Sequence, residues 1–178
     1  RLLLGGEDVP LDLRRHREPG RWYAGRPSPR LLRGLPMNVN LLTDIRHLEA
    51  LRAEWEALLR RSPMDEPMLS PCWLLGWWKV FGEGSRRTPR VLSVREDGAL
   101  VGLVPLLGRI HWYRPGIPYR RLEMLGSGED EADEICSEYL GPISACGYED
   151  AVCAALGRAL AGGVVGRWDE VLFPAMDG

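Results

Sequence analysis

The chain has 178 residues, 45% of them hydrophobic and 27% charged, with a formal net charge of -2 at pH 7. That size and balance suit one globular domain with a core, and the near-neutral charge excludes a global pull toward nucleic acid or an anionic membrane surface. No apolar run approaches the roughly 20 residues that span a bilayer, and Leu2, Leu3 and Leu4 are too short a run for a signal-peptide core, so a cytoplasmic protein without membrane insertion is expected.

Residues 1–36 are rich in arginine, proline and glycine, including Pro19-Gly20 and Pro27-Ser28-Pro29, and show neither helical nor strand periodicity. A disordered extension is expected there, with a basic nucleic-acid arm as the alternative. Arginine is the basic residue throughout, since Lys79 is the sole lysine, so the arm gains no support and no nucleic-acid partner is expected.

The first patterned segment is Met37 to Leu42, where Val39 and Leu41 alternate with asparagines as in a short strand. Thr43 or Asp44 can cap a following helix. Ile45, Leu48, Leu51, Trp55, Leu58 and Leu59 recur at helical spacing, with Arg52 and Glu56 four apart on the wet side, until Pro63 forbids continuation. Ser70-Pro71 reads as an N-cap followed by proline at the first helical position, where its missing amide needs no partner. Trp73, Leu74, Trp77, Trp78 and Phe81 then share one face, and Gly82 offers a stop. Core packing is the preferred reading of this aromatic stripe, ahead of a ligand groove.

Val91 to Val94 and Leu100 to Leu107 flank Asp97-Gly98, whose glycine accepts positive φ, so two antiparallel strands and a tight turn are expected. An Arg/Pro/Tyr-rich loop carrying His111 and Trp112 leads to a strand from Arg121 to Leu125, ended by Gly126-Ser127-Gly128. Glu129, Asp130, Glu131, Asp133 and Glu134 lack the ordered spacing of a metal loop and read as a solvated turn, so no metal is expected. Tyr139 to Ile143 reads as a strand and Tyr148 to Ala161 as a helix with Val152, Leu156 and Leu160 aligned, followed by Gly162-Gly163. A last strand, Glu170 to Phe173, precedes Pro174, and the chain finishes at Gly178.

Cys72, Cys136, Cys146 and Cys153 form no C-x-x-C pair, and no histidine lies at zinc-finger spacing, so reduced, buried thiols are expected. Cys136 as a nucleophile would need a histidine, and neither His47 nor His111 is close in sequence.

Particular stretches carry a resemblance. The run Leu48-Glu49-Ala50-Leu51-Arg52-Ala53-Glu54-Trp55-Glu56-Ala57-Leu58-Leu59 is similar to the first helix of the CelD-like (BioF2-like) proteins of cellulose biosynthesis, a tandem branch of the GNAT acyltransferase superfamily. Ser70-Pro71-Cys72-Trp73-Leu74 with Trp77-Trp78 resembles their second helix, and Leu100-Val101-Gly102-Leu103-Val104-Pro105-Leu106 their hairpin strand. Arg121 to Gly128 and Ser137-Glu138-Tyr139 resemble their Leu-Gly-Ser-Gly and Ser-Asp-Tyr stretches.

The resemblance implies an α/β fold with a mixed sheet, GNAT-like, in the order β-α-α-β-β-β-α-β from residue 37 to 178. The remaining helix and two strands of that fold would follow Gly178. It implies transfer of an acyl group from acetyl-CoA or another acyl-CoA to an amine or hydroxyl of a small-molecule acceptor, tied to sugar or exopolysaccharide chemistry. Ile143, Ser144, Ala145, Cys146 and Gly147 would then present backbone amides to the donor at a helix N-terminus. Glu138 and Tyr139 would act as base and acid near the acceptor. The loop departs from the superfamily's Gln/Arg-x-x-Gly-x-Gly/Ala pattern: Pro142 lacks an amide, and Glu149 and Asp150 suit a bare helix end better than one beside phosphates. A non-catalytic half that packs on a second GNAT-like half, or on a copy of itself, is the alternative. Glu123 stays open between a site role and a structural one.

Overall fold

The computed structural model describes residues 37–133, 135 and 137–173. The expectations for residues 1–36, Glu134, Cys136, Pro174 and Gly178 lie outside the described residues. Within them the order is β1 (Asn38–Leu42), α1 (Ile45–Ala50), α2 (Arg52–Leu59), α3 (Pro71–Trp77), β2 (Thr88–Pro89), β3 (Val91–Glu96) and β4 (Ala99–Val104). Then come β5 (Leu106–Arg114), β6 (Ile117–Met124), β7 (Ile143–Ser144), α4 (Glu149–Ala161) and β8 (Glu170–Leu172). The mixed α/β class read from the pattern is the class observed.

The helix expected from Ile45 to Leu59 is two helices. At Leu51 the backbone turns to φ -82°, ψ -3°, and its N–H is shared between the carbonyls of His47 and Leu48, the tightening that ends one helical run before the next begins. Leu48, Trp55 and Leu58 nevertheless all reach the core. Asp44 caps α1 by accepting from the Arg46 N–H at 2.9 Å. Ser70 caps α3 by accepting from the Trp73 N–H at 3.2 Å, with Pro71 at the first helical position. Trp55 ties the two helical regions together, its indole N–H donating to the Leu69 carbonyl at 3.0 Å.

The expected Asp97-Gly98 turn is present, with φ of 48° and 81°, the pair of positive values that a two-residue hairpin needs. The strand expected from Leu100 to Leu107 is instead broken at Pro105, which has no N–H for the ladder, into β4 and β5 in separate four-stranded sheets. Bonds from Arg90 N–H to the Leu106 carbonyl and from Leu125 N–H to the Pro105 carbonyl, each 2.8 Å, carry the ladder across the break. The two sheets, in orders β1-β3-β4-β7 and β2-β5-β6-β8, are thus halves of one bent sheet.

Three further expectations are corrected. The stretch with His111 and Trp112 is a long antiparallel ribbon of β5 on β6, not a loop, with His111 opposite Tyr119 and Trp112 opposite Pro118. Tyr139 to Leu140 is irregular, and only Ile143–Ser144 pairs, opposite Leu103 and Gly102 of β4. Cys72, Cys146 and Cys153 are free but exposed rather than buried.

Helices cover both faces. Val94 and Gly102 lie toward α4, so closely that a Cβ at Gly102 would sit 2.4 Å from a Val152 methyl. Arg95, next on β3 and turned to the other face, pairs with Glu54 of α2 at 2.7 Å. The stripe of α4 that enters the core is Ala151, Val152, Ala155 and Ala159, while Leu156 and Leu160 are only partly covered, because small residues let the helix approach the sheet. β8 pairs parallel with β6, Arg121 opposite Glu170, after the crossover through α4.

Candidate functional site

The strand that begins as β6 runs beside β5, leaves the sheet over residues 125–142, and returns as β7 beside β4, which is continuous with β5. β8 lies against the β6 part, and no strand among the described residues lies against the outer edge of β7. The result is a fork, closed where β6 meets β8 and open beside Ile143–Ser144. The Ala145 N–H points into the sheet, donating to the Val101 carbonyl at 2.9 Å. Since amides alternate sides along an extended segment, the Ser144 N–H points outward to the fork.

The loop expected to hold the acyl donor lies at this place. Ile143, Ser144 and Ala145 are buried, whereas Cys146 and Gly147 are exposed. Two of its amides already have acceptors in distant segments: besides Ala145, the Cys146 N–H donates to the Arg61 carbonyl just past α2 at 3.0 Å, and the Tyr148 N–H that follows the loop donates to the Ala145 carbonyl at 2.9 Å. Gly147 has φ +85°, and nothing stands within 4 Å of where a Cβ would be. Glu149 and Asp150 occupy the first turn of α4, and Tyr148 before it makes no side-chain cap bond. The Tyr148 hydroxyl donates to the Glu96 carboxylate at the far end of β3.

Glu138 and Tyr139 sit elsewhere, over the start of α3. Ser137 accepts from the Trp73 indole N–H at 3.1 Å, and the Glu138 N–H approaches the Met68 sulfur at 2.9 Å. Both Glu138 and Tyr139 are exposed, and Tyr139 holds φ +56°, an uncommon backbone conformation for a bulky residue, while its neighbour Leu140 is buried. The structure thus brings the five loop residues together at the fork and places Glu138 and Tyr139 against the α3 side of the molecule.

Glu123, left open from sequence, is a buried carboxylate, 1% exposed. Burial pushes its pKa up, against the opposing pull of Arg109, Arg121 and Arg87. Arg109 Nε lies 2.6 Å from Glu123 Oε1, yet neither atom has a properly directed hydrogen bond, so this is a charge contact rather than a fork-fork pair. Arg87 reaches across to the Gly128 carbonyl at 2.6 Å and stands over the Trp77 ring. The cluster ties the β6 strand to α3 and the Gly126–Gly128 turn.

Beside it on the same face, Tyr113 donates to Glu170 and accepts from Arg121 at 2.7 Å, and Arg121 also donates to Glu170 at 2.9 Å. The bond to Glu170 raises the Tyr113 pKa and is the main lowering influence on Glu170. His111 stacks edge-on to Tyr113 at 4.6 Å, its pKa lowered by burial and by Arg121 and Arg109. This group could not be found from sequence, because it exists only through the parallel register that sets Arg121 opposite Glu170. Among the described residues, no group of three or more His, Cys, Asp or Glu side chains could hold a metal ion, and no helix is long and apolar enough to cross a membrane.

No protein-family profile matches the chain, and no curated protein matches it. Solved structures similar to it include an integron cassette protein from the mobile metagenome of V. cholerae, at 13% identity and TM-score 0.41, covering 81% of this chain and 78% of that one. Another is a ribosomal-protein-alanine N-acetyltransferase from Brucella melitensis, at 15% identity and TM-score 0.36, covering 78% and 79%. A third is the aminoglycoside N-acetyltransferase AAC(6')-Iy in complex with CoA, at 19% identity and TM-score 0.34, covering 82% and 79%.

Proposed function

We propose that the chain is a GNAT-type acyltransferase domain of the CelD-like kind, taking an acyl group from acyl-CoA and passing it to an amine or hydroxyl of a small sugar-like acceptor in the cytoplasm. The observation that carries this reading is the fork: β6 and β8 run parallel through an intervening helix, and β7 parts from β8 with an outer edge that no strand among the described residues pairs. An edge of that kind can pair with the amides of a pantetheine arm, and an outward N–H such as that of Ser144 can polarise a thioester carbonyl. The loop Ala145–Gly147 then lies where the diphosphate of the donor would reach the N-terminus of α4.

In this reaction the acceptor nitrogen or oxygen attacks the thioester carbonyl, the C–S bond breaks, and CoA leaves as a thiol. No covalent enzyme intermediate is required. A base near the acceptor removes its proton, a role proposed for Glu138, with Tyr139 protonating the departing sulfur. For these two to serve the fork, the segment around residue 139 must swing toward β7. Its strained Tyr139 backbone favours such a movement.

A second reading is favoured by the amide inventory. Ala145, Cys146 and Tyr148 donate inside the protein, and two carboxylates stand at the helix end, which is the arrangement of a helix N-terminus satisfied without a ligand. On that reading the domain is a non-catalytic half that packs on a second GNAT-like half or on another copy of itself. Calorimetric titration with acetyl-CoA separates the two: saturable heat supports the acyltransferase, and no heat at roughly millimolar donor supports the packing half.

A further inference from the structure

The face of the β5–β6 ribbon opposite Glu123 carries Gly108, Arg120 and Leu122. Between it, the β2–β3 junction and the segment after α4 lies a cleft of about 180 Å³, lined by Arg86, Arg90, Arg120 and Arg167. Arg109 and Arg121 also border it, but strand alternation turns their guanidinium groups to the other face, where they meet Glu123 and Glu170. Arg120 is held by Asp169 through two bonds of 2.9 and 2.6 Å. The guanidinium groups of Arg86 and Arg90 have no hydrogen-bond or ion-pair partner among the described residues, and Arg167 has none at ion-pair distance, although its charge helps to lower the Asp169 pKa.

Two glycines shape the trough in which Arg90 lies. A Cβ at Gly108 would touch Arg90 Cγ at 3.5 Å, and a Cβ at Gly166 would touch its Nη1 at 3.4 Å. Arg120 and Arg167 also border an adjoining hollow walled by Trp168, which is 38% exposed and anchored through its indole N–H to the Leu160 carbonyl at 3.4 Å. Four arginines lining one concavity, only Arg120 of them paired with a carboxylate, make it electropositive, and concave walls concentrate that field on an entering anion. Planar forks bind pairs of phosphate oxygens, and a cleft of about 180 Å³ is on the scale of a small anion such as two linked phosphates.

We propose that this arginine cleft binds a diphosphate, either free or carried by a nucleoside whose base lies on Trp168. It shares no residue with the loop Ile143–Gly147, and it stands whether or not the fork takes an acyl donor.

The test is calorimetric titration of the chain with inorganic pyrophosphate and, separately, with ADP, repeated on the double variant Arg90→Gln, Arg167→Gln. Saturable binding of pyrophosphate is expected, weakened on the order of tenfold for each arginine removed and weakened again by added salt. ADP binding tighter than pyrophosphate, with the difference lost in Trp168→Ala, identifies the nucleoside-borne form; equal affinities identify the free diphosphate. Melting temperature verifies that each variant is folded, and Arg86→Gln, on an exposed side chain, replaces the double variant should that one fail to fold. Absence of heat from both ligands, or an unchanged affinity in a folded variant, overturns the proposal.

Discussion

Gly128 closes over Glu123: a Cβ placed on Gly128 would lie 2.0 Å from Glu123 Oε1, inside any contact that real atoms make, and Gly128 has φ +82° besides. The buried carboxylate and the turn above it are therefore fitted to each other. Gly98, at φ +81°, shares the backbone conformation but has nothing within 4 Å. Gly98→Ala should cost only backbone strain, about 1–2 kcal/mol, whereas Gly128→Ala should cost clearly more, because it adds overpacking against a group that cannot move to water. Urea denaturation of the two variants makes the comparison.

Gly102 and Val152 make the equivalent fit between sheet and helix. Gly102→Ala is expected to lose about 1–3 kcal/mol, and Val152→Ala in the same chain should recover part of the loss by removing the methyl that lies 2.4 Å from the new Cβ. Losses that simply add in the double variant would show that α4 does not press on β4 at this point.

Two tryptophans test the value of a partnered indole. Trp55 is fully buried and donates to Leu69, while the Trp77 indole N–H is buried without an acceptor among the described residues. Both lose ring volume on replacement by phenylalanine. Only Trp55→Phe also strands a carbonyl, so it should be the costlier by about 1 kcal/mol in denaturant unfolding. Trp77→Ala should cost about 3–5 kcal/mol and threaten folding, whereas a folded, stable Trp77→Ala with lost ligand binding would point to a groove instead.

Acid stability follows from Asp169. Its hydrogen bonds with Arg120 hold its pKa at about 2, below the ordinary 3.8. A depressed carboxylate contributes stability that is fully present above its unfolded pKa and is lost as pH falls through its folded one. Melting temperature should therefore decline between about pH 4 and pH 2, and Asp169→Asn should flatten that decline while lowering the plateau at neutral pH. An acid limb of the same steepness in the variant would assign it to other groups, Asp44 with its Arg46 partner being the next in line.

Features set by neighbours in the chain were legible in the sequence. Ser70-Pro71 capped α3, Asp97-Gly98 made the hairpin turn, and the aromatic face of α3 went to the core, because each depends on local backbone chemistry or on helical spacing. The β5–β6 ribbon was hidden because it extends beyond the core: with Ile110, Trp112, Tyr113 and Ile117 all exposed, neither face is consistently apolar and the alternation that marks a strand disappears. Pro105 leaves no mark on the hydrophobic pattern because apolar residues continue on both sides of it, although its missing amide divides the sheet. At the candidate site the position of the loop before α4 was legible, but not the fate of its amides, since the carbonyls of Val101 and Arg61 that accept from it come from distant segments. The same holds for the register that joins Arg121 to Glu170.

The acyl-donor reading is tested most directly by amide hydrogen exchange with and without acetyl-CoA. Donor seated in the fork should slow exchange at Ser144 and Gly147, whose amides it would engage, while Ala145, already bonded to Val101, stays as slow as before. Exchange at Ser144 and Gly147 that is unchanged by saturating donor would contradict the account and leave the domain as a packing half.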